Sequence, residues 1–460
     1  MDRRTLIIIL TVVIVILLGV GIYLYSKNPS AAPTTGDLFP GGSNPAVVPA
    51  GEGEEEVNIR FTPGSGQALP RLYRLHNTPV SGIASFETGK GSDHNISARY
   101  IERGLGHIYE TVLSTYAENR IVNETRSKIS EALWGRSGQS VVIRSLDENN
   151  SEIIKTRIIN LGSTTTSFSD ATSTPTQEGF INTEEILLPD YIPFTAVAED
   201  GSDRIFYLEN STVSAVGTTV SFKNASPASV FKSSFTEWIP QFPNQKLVTL
   251  TTKASGEVPG HFFFLDPKTK SVTKILSNVN GLTTLTSRDG KSVLYSESKD
   301  QGLILSVYDT VNKEIRSVSL QTLPEKCAWS VKSPEIAYCA VPKTLSSSLY
   351  PDRWYQGVLS FSDDLWVVDT RTTITKRLLN PEALGVSNLD MTNLTLSSGD
   401  EYLLFMDKNT GKPWVYRLTE EAPPVATATT TPAQIAPAPI PPQENPEPDT
   451  SVTDGMTKIR

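Results

Sequence analysis

Six short apolar strands of one kind recur along the chain, each directly after a tight turn. They are SVVIR from Ser140, RIFYLE from Arg204, KLVTLT from Lys246, SVLYSE from Ser292, EIAYCAV from Glu335 and EYLLFM from Glu401. Their starts lie 64, 42, 46, 43 and 66 residues apart. A fixed spacing of this size marks stacked copies of one supersecondary unit, none of which can bury its apolar face alone. Three intervals share a period of roughly 40–45 residues. The two long ones are that period plus an insertion, the Ser/Thr-rich run 162–178 in one case and the segment 342–361 in the other.

Each unit has the same internal grammar. An apolar strand, often bearing Trp, runs into a turn and then into the strand named above: ALW and RSGQ at Trp134, EWIP and FPNQ, LTS and RDGK, CAWS and KSPE, LTLS and SGDE. Gly, Asp, Asn and Pro supply the backbone angles that tight hairpins need. Later units add a third strand closing on aspartate (Asp266, Asp309, Asp369) and a fourth after a short turn (SVTKIL, IRSVSL, ITKRLL). Four antiparallel strands in sequence order make the blade of a β-propeller, an all-β fold. The degenerate W-x-x-x-D/G-G openings resemble those of TolB-like and WD-repeat-like propellers of bacterial envelopes, over about residues 68–418. That resemblance implies a place in the envelope, including the role of an assembly factor in a multiprotein complex. The motifs themselves specify blades and name no activity.

Seven four-stranded blades are expected, with six or eight as the alternatives. Unit seven offers LTLS, EYLLFM and KPWVYRL and then meets a Pro-rich tail before any fourth strand, while RLYRLH (71–76) stands ahead of unit one with no unit of its own. Pairing this first strand with the last blade closes the ring and removes two exposed edges that invite aggregation.

Ahead of the repeats, Leu6–Tyr25 is twenty residues without a charge, long enough to cross the ~30 Å core of a bilayer as a helix. It is too long for the apolar part of a cleaved signal. Arg3 and Arg4 precede it, whereas after Lys27 no Lys or Arg occurs before Arg60. Positive flanks mark the cytoplasmic side, so the expected plan is a cytoplasmic N-terminus (1–5), a transmembrane helix (6–25), a flexible linker (26–67), the propeller (68–418) and a disordered Pro/Thr/Ala-rich tail (419–460). The bulk of the chain is then extracytoplasmic, on a single-pass cell-membrane anchor. The linker and tail carry too little apolar pattern to fold. A net charge of −9 without a basic patch argues against nucleic acid as a partner.

Cys327 and Cys339 lie on the first two strands of unit six, equidistant from Ser333. A hairpin centred there sets them opposite each other, within reach of a disulfide; the alternative is a pair of buried thiols. Other chemistry is sparse. His76, His94, His107 and His261 fall at dissimilar positions without metal-ligand spacing, and no cofactor is expected. DKNTGKPW (407–414) resembles the repeat of quinone-dependent dehydrogenase propellers but occurs once, so it reads as a hairpin turn. Asp363 and Asp364 read as a solvated turn before a strand, the alternative being half of a calcium or acid/base site.

The second-to-third strand links are the long ones, at 252–260 and 342–361, and long loops on a rigid scaffold carry recognition. The latter holds Tyr350, Arg353, Trp354 and Tyr355, residue types that dominate interface energies. These four form either a binding loop or a cap folded back over the blade. The expected function is non-enzymatic: a scaffold for an unidentified protein or envelope polymer. Its rival is a propeller enzyme, glycosidase or lyase in type, with a site in the central channel. Carboxylates where the inner strands converge would favour the enzyme, and small apolar side chains there the scaffold.

Overall fold

The computed structural model describes residues 69–419, apart from 89–93, 148–149, 163–179 and 224–225. The expected membrane helix, the linker, the Ser/Thr-rich run and the tail beyond Thr419 lie outside the described residues. Among those described, no helix is long and apolar enough to cross a membrane.

Seven four-stranded antiparallel sheets follow one another along the chain. Their innermost strands are Val80–Thr88, Ile129–Trp134, Thr195–Val197, Trp238–Asn244, Thr283–Thr286, Cys327–Trp329 and Met391–Leu396. Blades one to six take four consecutive strands each. Blade seven takes three, and its outer place is filled by Leu72–Arg74, paired with Pro413–Arg417 through Leu72↔Tyr416 and Arg74↔Trp414. Arg71 clamps the junction, its Nε and Nη2 donating to the carbonyls of Arg417 and Leu418.

The core shows why the ring closes. Between the blades, apolar residues form seven clusters, each shared by two neighbouring blades. One joins the last blade to the first, packing Leu404, Met406 and Val415 against Ile83, Ala98 and Tyr100, with Tyr73 of the closing strand between them. Middle strands are therefore covered on both sides: all six residues of Tyr402–Asp407 are buried. An open ring would leave two such faces in water.

One turn recurs and explains the aspartates. Asp266, Asp309 and Asp369 each accept backbone N–H groups two and three residues on, and Lys270, Lys313 and Thr373, four residues on, are left-handed. These hydrogen bonds hold the Asp266 carboxyl below the usual range. Asp407 makes the same turn, with Gly411 in the left-handed position. The DKNTG stretch is thus a hairpin turn.

Candidate functional site

Strand order gives the ring two unlike faces. Tight turns joining first to second and third to fourth strands emerge on one, here the turn face. Second-to-third links and the links between blades emerge on the other, the loop face.

The loop face is capped by the long link of blade six, which contains a single helical turn, Asp352–Tyr355. Tyr350 and Trp354 are buried, in a cluster with Leu303, Leu323 and Phe361. The link lies over its neighbours: Asp352 accepts from the Gly256 N–H in blade four (2.7 Å) and Ser348 N donates to Gln301 O in blade five. At Gly256 a Cβ would fall 2.6 Å from the Tyr350 carbonyl, so only glycine admits this approach. Of the two readings of the loop, its aromatic rings follow the folded-back cap. Tyr350 and Trp354 are buried, Tyr355 is half-buried with its hydroxyl donating to Glu325, and Arg353 alone of the four is exposed.

Beneath the cap is an ionic knot that no sequence motif announces. Lys326, fully buried, pairs with Asp363 (2.8 Å) and with Asp390, and donates to Met391 O (3.0 Å). Asp390 accepts from Trp354 Nε1 (2.9 Å) and Phe361 N (3.1 Å), and Asp363 from Met391 N (2.7 Å). Burial pushes the Asp363 carboxyl up to about 6, against the pull of Lys326 and with a further push from Asp390. Burial draws the Lys326 ammonium down, but its two carboxylates outweigh it and hold it above the ordinary value. Asp363 and Asp364 are therefore not a solvated turn. Both are buried at the start of a strand, and Asp364 pairs with Arg377 (3.2 Å). The knot welds the links of blades six and seven to the cap.

Cys327 and Cys339 are direct cross-strand partners, with Cα atoms 4.0 Å apart, and are joined by a disulfide. Among the described residues no group of three or more His, Cys, Asp or Glu is arranged to hold a metal.

Large exposed apolar side chains are unevenly divided. Leu105, Tyr191, Val213, Phe235, Val258, Val358 and Leu384 stand in loop-face links, and Leu187 at the end of the strand leading into one. Val272, Val311, Ile315 and Ile374 lie in or next to turns of the opposite face. Single exposed apolar residues mean little; their collection on one face is the informative feature.

A channel of about 770 Å³ runs through the ring, lined by residues of all seven inner strands. Its wall mixes small or apolar residues, among them Gly82, Ala84, Ala132, Ala196, Val197, Leu285, Ala328 and Leu394, with polar ones such as Glu131, Gln241 and Asn393. Charge gathers at the turn face, where Arg136, Glu199 and Arg288 line the mouth.

No protein-family model and no curated protein matches the sequence. Solved structures of similar shape include an oligogalacturonate lyase in complex with manganese, 8% identical with a TM-score of 0.45 over 75% of this chain and 99% of that one. The oligogalacturonate lyase of Vibrio parahaemolyticus is 9% identical with a TM-score of 0.47, over 79% and 97%. TolB of Acinetobacter baumannii is 10% identical with a TM-score of 0.39, over 74% and 80%. At such values the propeller assignment rests on the strand pairing itself.

Proposed function

We propose that this chain is a non-enzymatic interaction module, tethered to a cell membrane by residues 6–25, that binds a protein or envelope polymer through the loop face of its propeller. The carrying observation is the concentration there of exposed large apolar side chains, eight of the twelve in the described residues. Loops held on a rigid frame are where recognition is built, and the ionic knot makes this frame rigid around blades six and seven.

Chain direction supports the same reading. The closing strand begins, and the third strand of blade seven ends, side by side on the turn face, where Arg71 meets Arg417. A tether reaching the ring from residue 69 joins it at that face and not at the loop face. A surface of this kind suits an assembly factor within a multiprotein complex.

Replacing Tyr191, Val213 and Val258 with Ser tests the reading. They are 56%, 74% and 59% exposed, and exposed substitutions of this sort shift stability by no more than ~0.5 kcal/mol. The triple variant keeps its melting temperature and loses most of the partner recovered by crosslinking in intact cells, whereas Val311→Ser with Ile374→Ser retains it. Equal recovery from both variants would overturn the proposal.

A further inference from the structure

The turns at the channel mouth share a register that assigns them a second task. In blades two, three, five, six and seven the residue just after the inner strand donates its N–H across the hairpin: Gly135 to Ser140, Ala198 to Arg204, Ser287 to Ser292, Ser330 to Ile336 and Ser397 to Tyr402. The residue after it therefore occupies one equivalent place in each blade. Those residues are Arg136, Glu199, Arg288, Val331 and Ser398, and four of the five line the channel.

Both arginine turns are held firmly. Gly138 N donates to Gly135 O and Gly138 O accepts from Arg99; Gly290 N donates to Ser287 O, and Arg288 O accepts from Asn244. The guanidiniums are less well served. Arg288 Nε lies 3.6 Å from Glu199 Oε2, beyond hydrogen-bond length. The Arg136 guanidinium makes no hydrogen bond or ion pair with a described residue. Burial, and then the charge of Arg288, lower its pKa from the ordinary value. Glu199 is enclosed by the channel yet touches water, at 44% exposure, and burial pushes its carboxyl up.

We propose that this mouth is a binding site for a carboxylate ligand with a short apolar body, gripped by Arg136 and Arg288, with Glu199 as the resident counter-anion that the ligand displaces. Guanidinium forks match carboxylates in bidentate geometry, and the site already holds one. Glu87 also lines the mouth, and Asp400, bound to Ser330 and Val331, stands beside it. These acids disfavour a dianion such as phosphate. Val197, Leu285 and Leu394, partly exposed, line the adjoining wall and suit an apolar body.

The test is titration calorimetry of the full chain in detergent with pentanoate. Saturable one-to-one binding is expected, weakened at least tenfold in Arg136→Met and in Arg288→Met and tightened several-fold in Glu199→Gln. Should Arg288→Met fail to fold, Arg136→Met decides alone, because its guanidinium holds no described residue in place. No saturable binding, unchanged affinity in Arg136→Met, lost affinity in Glu199→Gln, or equally tight inorganic phosphate would each overturn the proposal. The site is on the face opposite the proposed partner surface, so neither result bears on the other.

Discussion

Lys326 is the centre of the buried knot beneath the cap. It carries one positive charge between two buried carboxylates, and burial, against the pull of Lys326, makes Asp363 hold a proton more readily than an exposed aspartate. With a folded pKa near 6 against an ordinary 3.8, the folded state binds more protons at this position than the unfolded one between those values. Stability from Asp363 is therefore fully present below about pH 4 and is lost as pH rises through 6. Denaturation midpoints across pH 4–7 should show Asp363→Asn gaining on the wild type as pH rises; a constant difference would refute the assignment. Trp354 joins the same knot. Trp354→Ala removes a buried ring and a hydrogen bond to Asp390, and a cost of ~3–5 kcal/mol is expected. Chemical denaturation measures it, and recovery of crosslinked partner per folded molecule should stay unchanged. A melting temperature equal to the wild type with the partner lost would restore the loop as a binding element.

Closure by a three-residue strand makes a sharp expectation at the level of elements. Deleting residues 69–77 removes Tyr73 and Leu75 from the cluster between blades seven and one and leaves Pro413–Arg417 as an open edge. The truncate should aggregate or melt many degrees lower. A soluble product with an unchanged melting temperature would show that the ring does not need this strand. These strands were readable in the sequence because hairpin registers are local: the turn residues around Ser333 set Cys327 opposite Cys339, and RLYRLH stood out as a strand without a unit. Burial of the 342–361 link was not readable. Its rings pack against Leu303 and Leu323 of other segments, and Lys326 meets Asp390 across 64 residues, a juxtaposition that only the ring creates. The mouth arginines had a signal that went unused, since RSGQ and RDGK place Arg136 and Arg288 at one position of the same turn.

The described residues form a ring with two faces of different chemistry. Tight turns, both ends of the described propeller and the charged mouth are on one; long links, the cap and most exposed large apolar side chains are on the other. If residues 6–25 cross the membrane as proposed, a membrane-impermeant thiol label reaches a cysteine placed at Ser43 in whole cells, or in spheroplasts where an outer membrane intervenes; labelling only after lysis would reverse the orientation. The most direct measurement is face-resolved crosslinking in living cells. Photoreactive residues placed singly at Tyr191, Val213 and Val258, and at Val311, Val272 and Ile374, are compared by mass spectrometry of what they capture. A shared partner captured from the first three positions and not from the second three is the expected result, whereas capture of that partner from the turn face alone would contradict binding through the loop face.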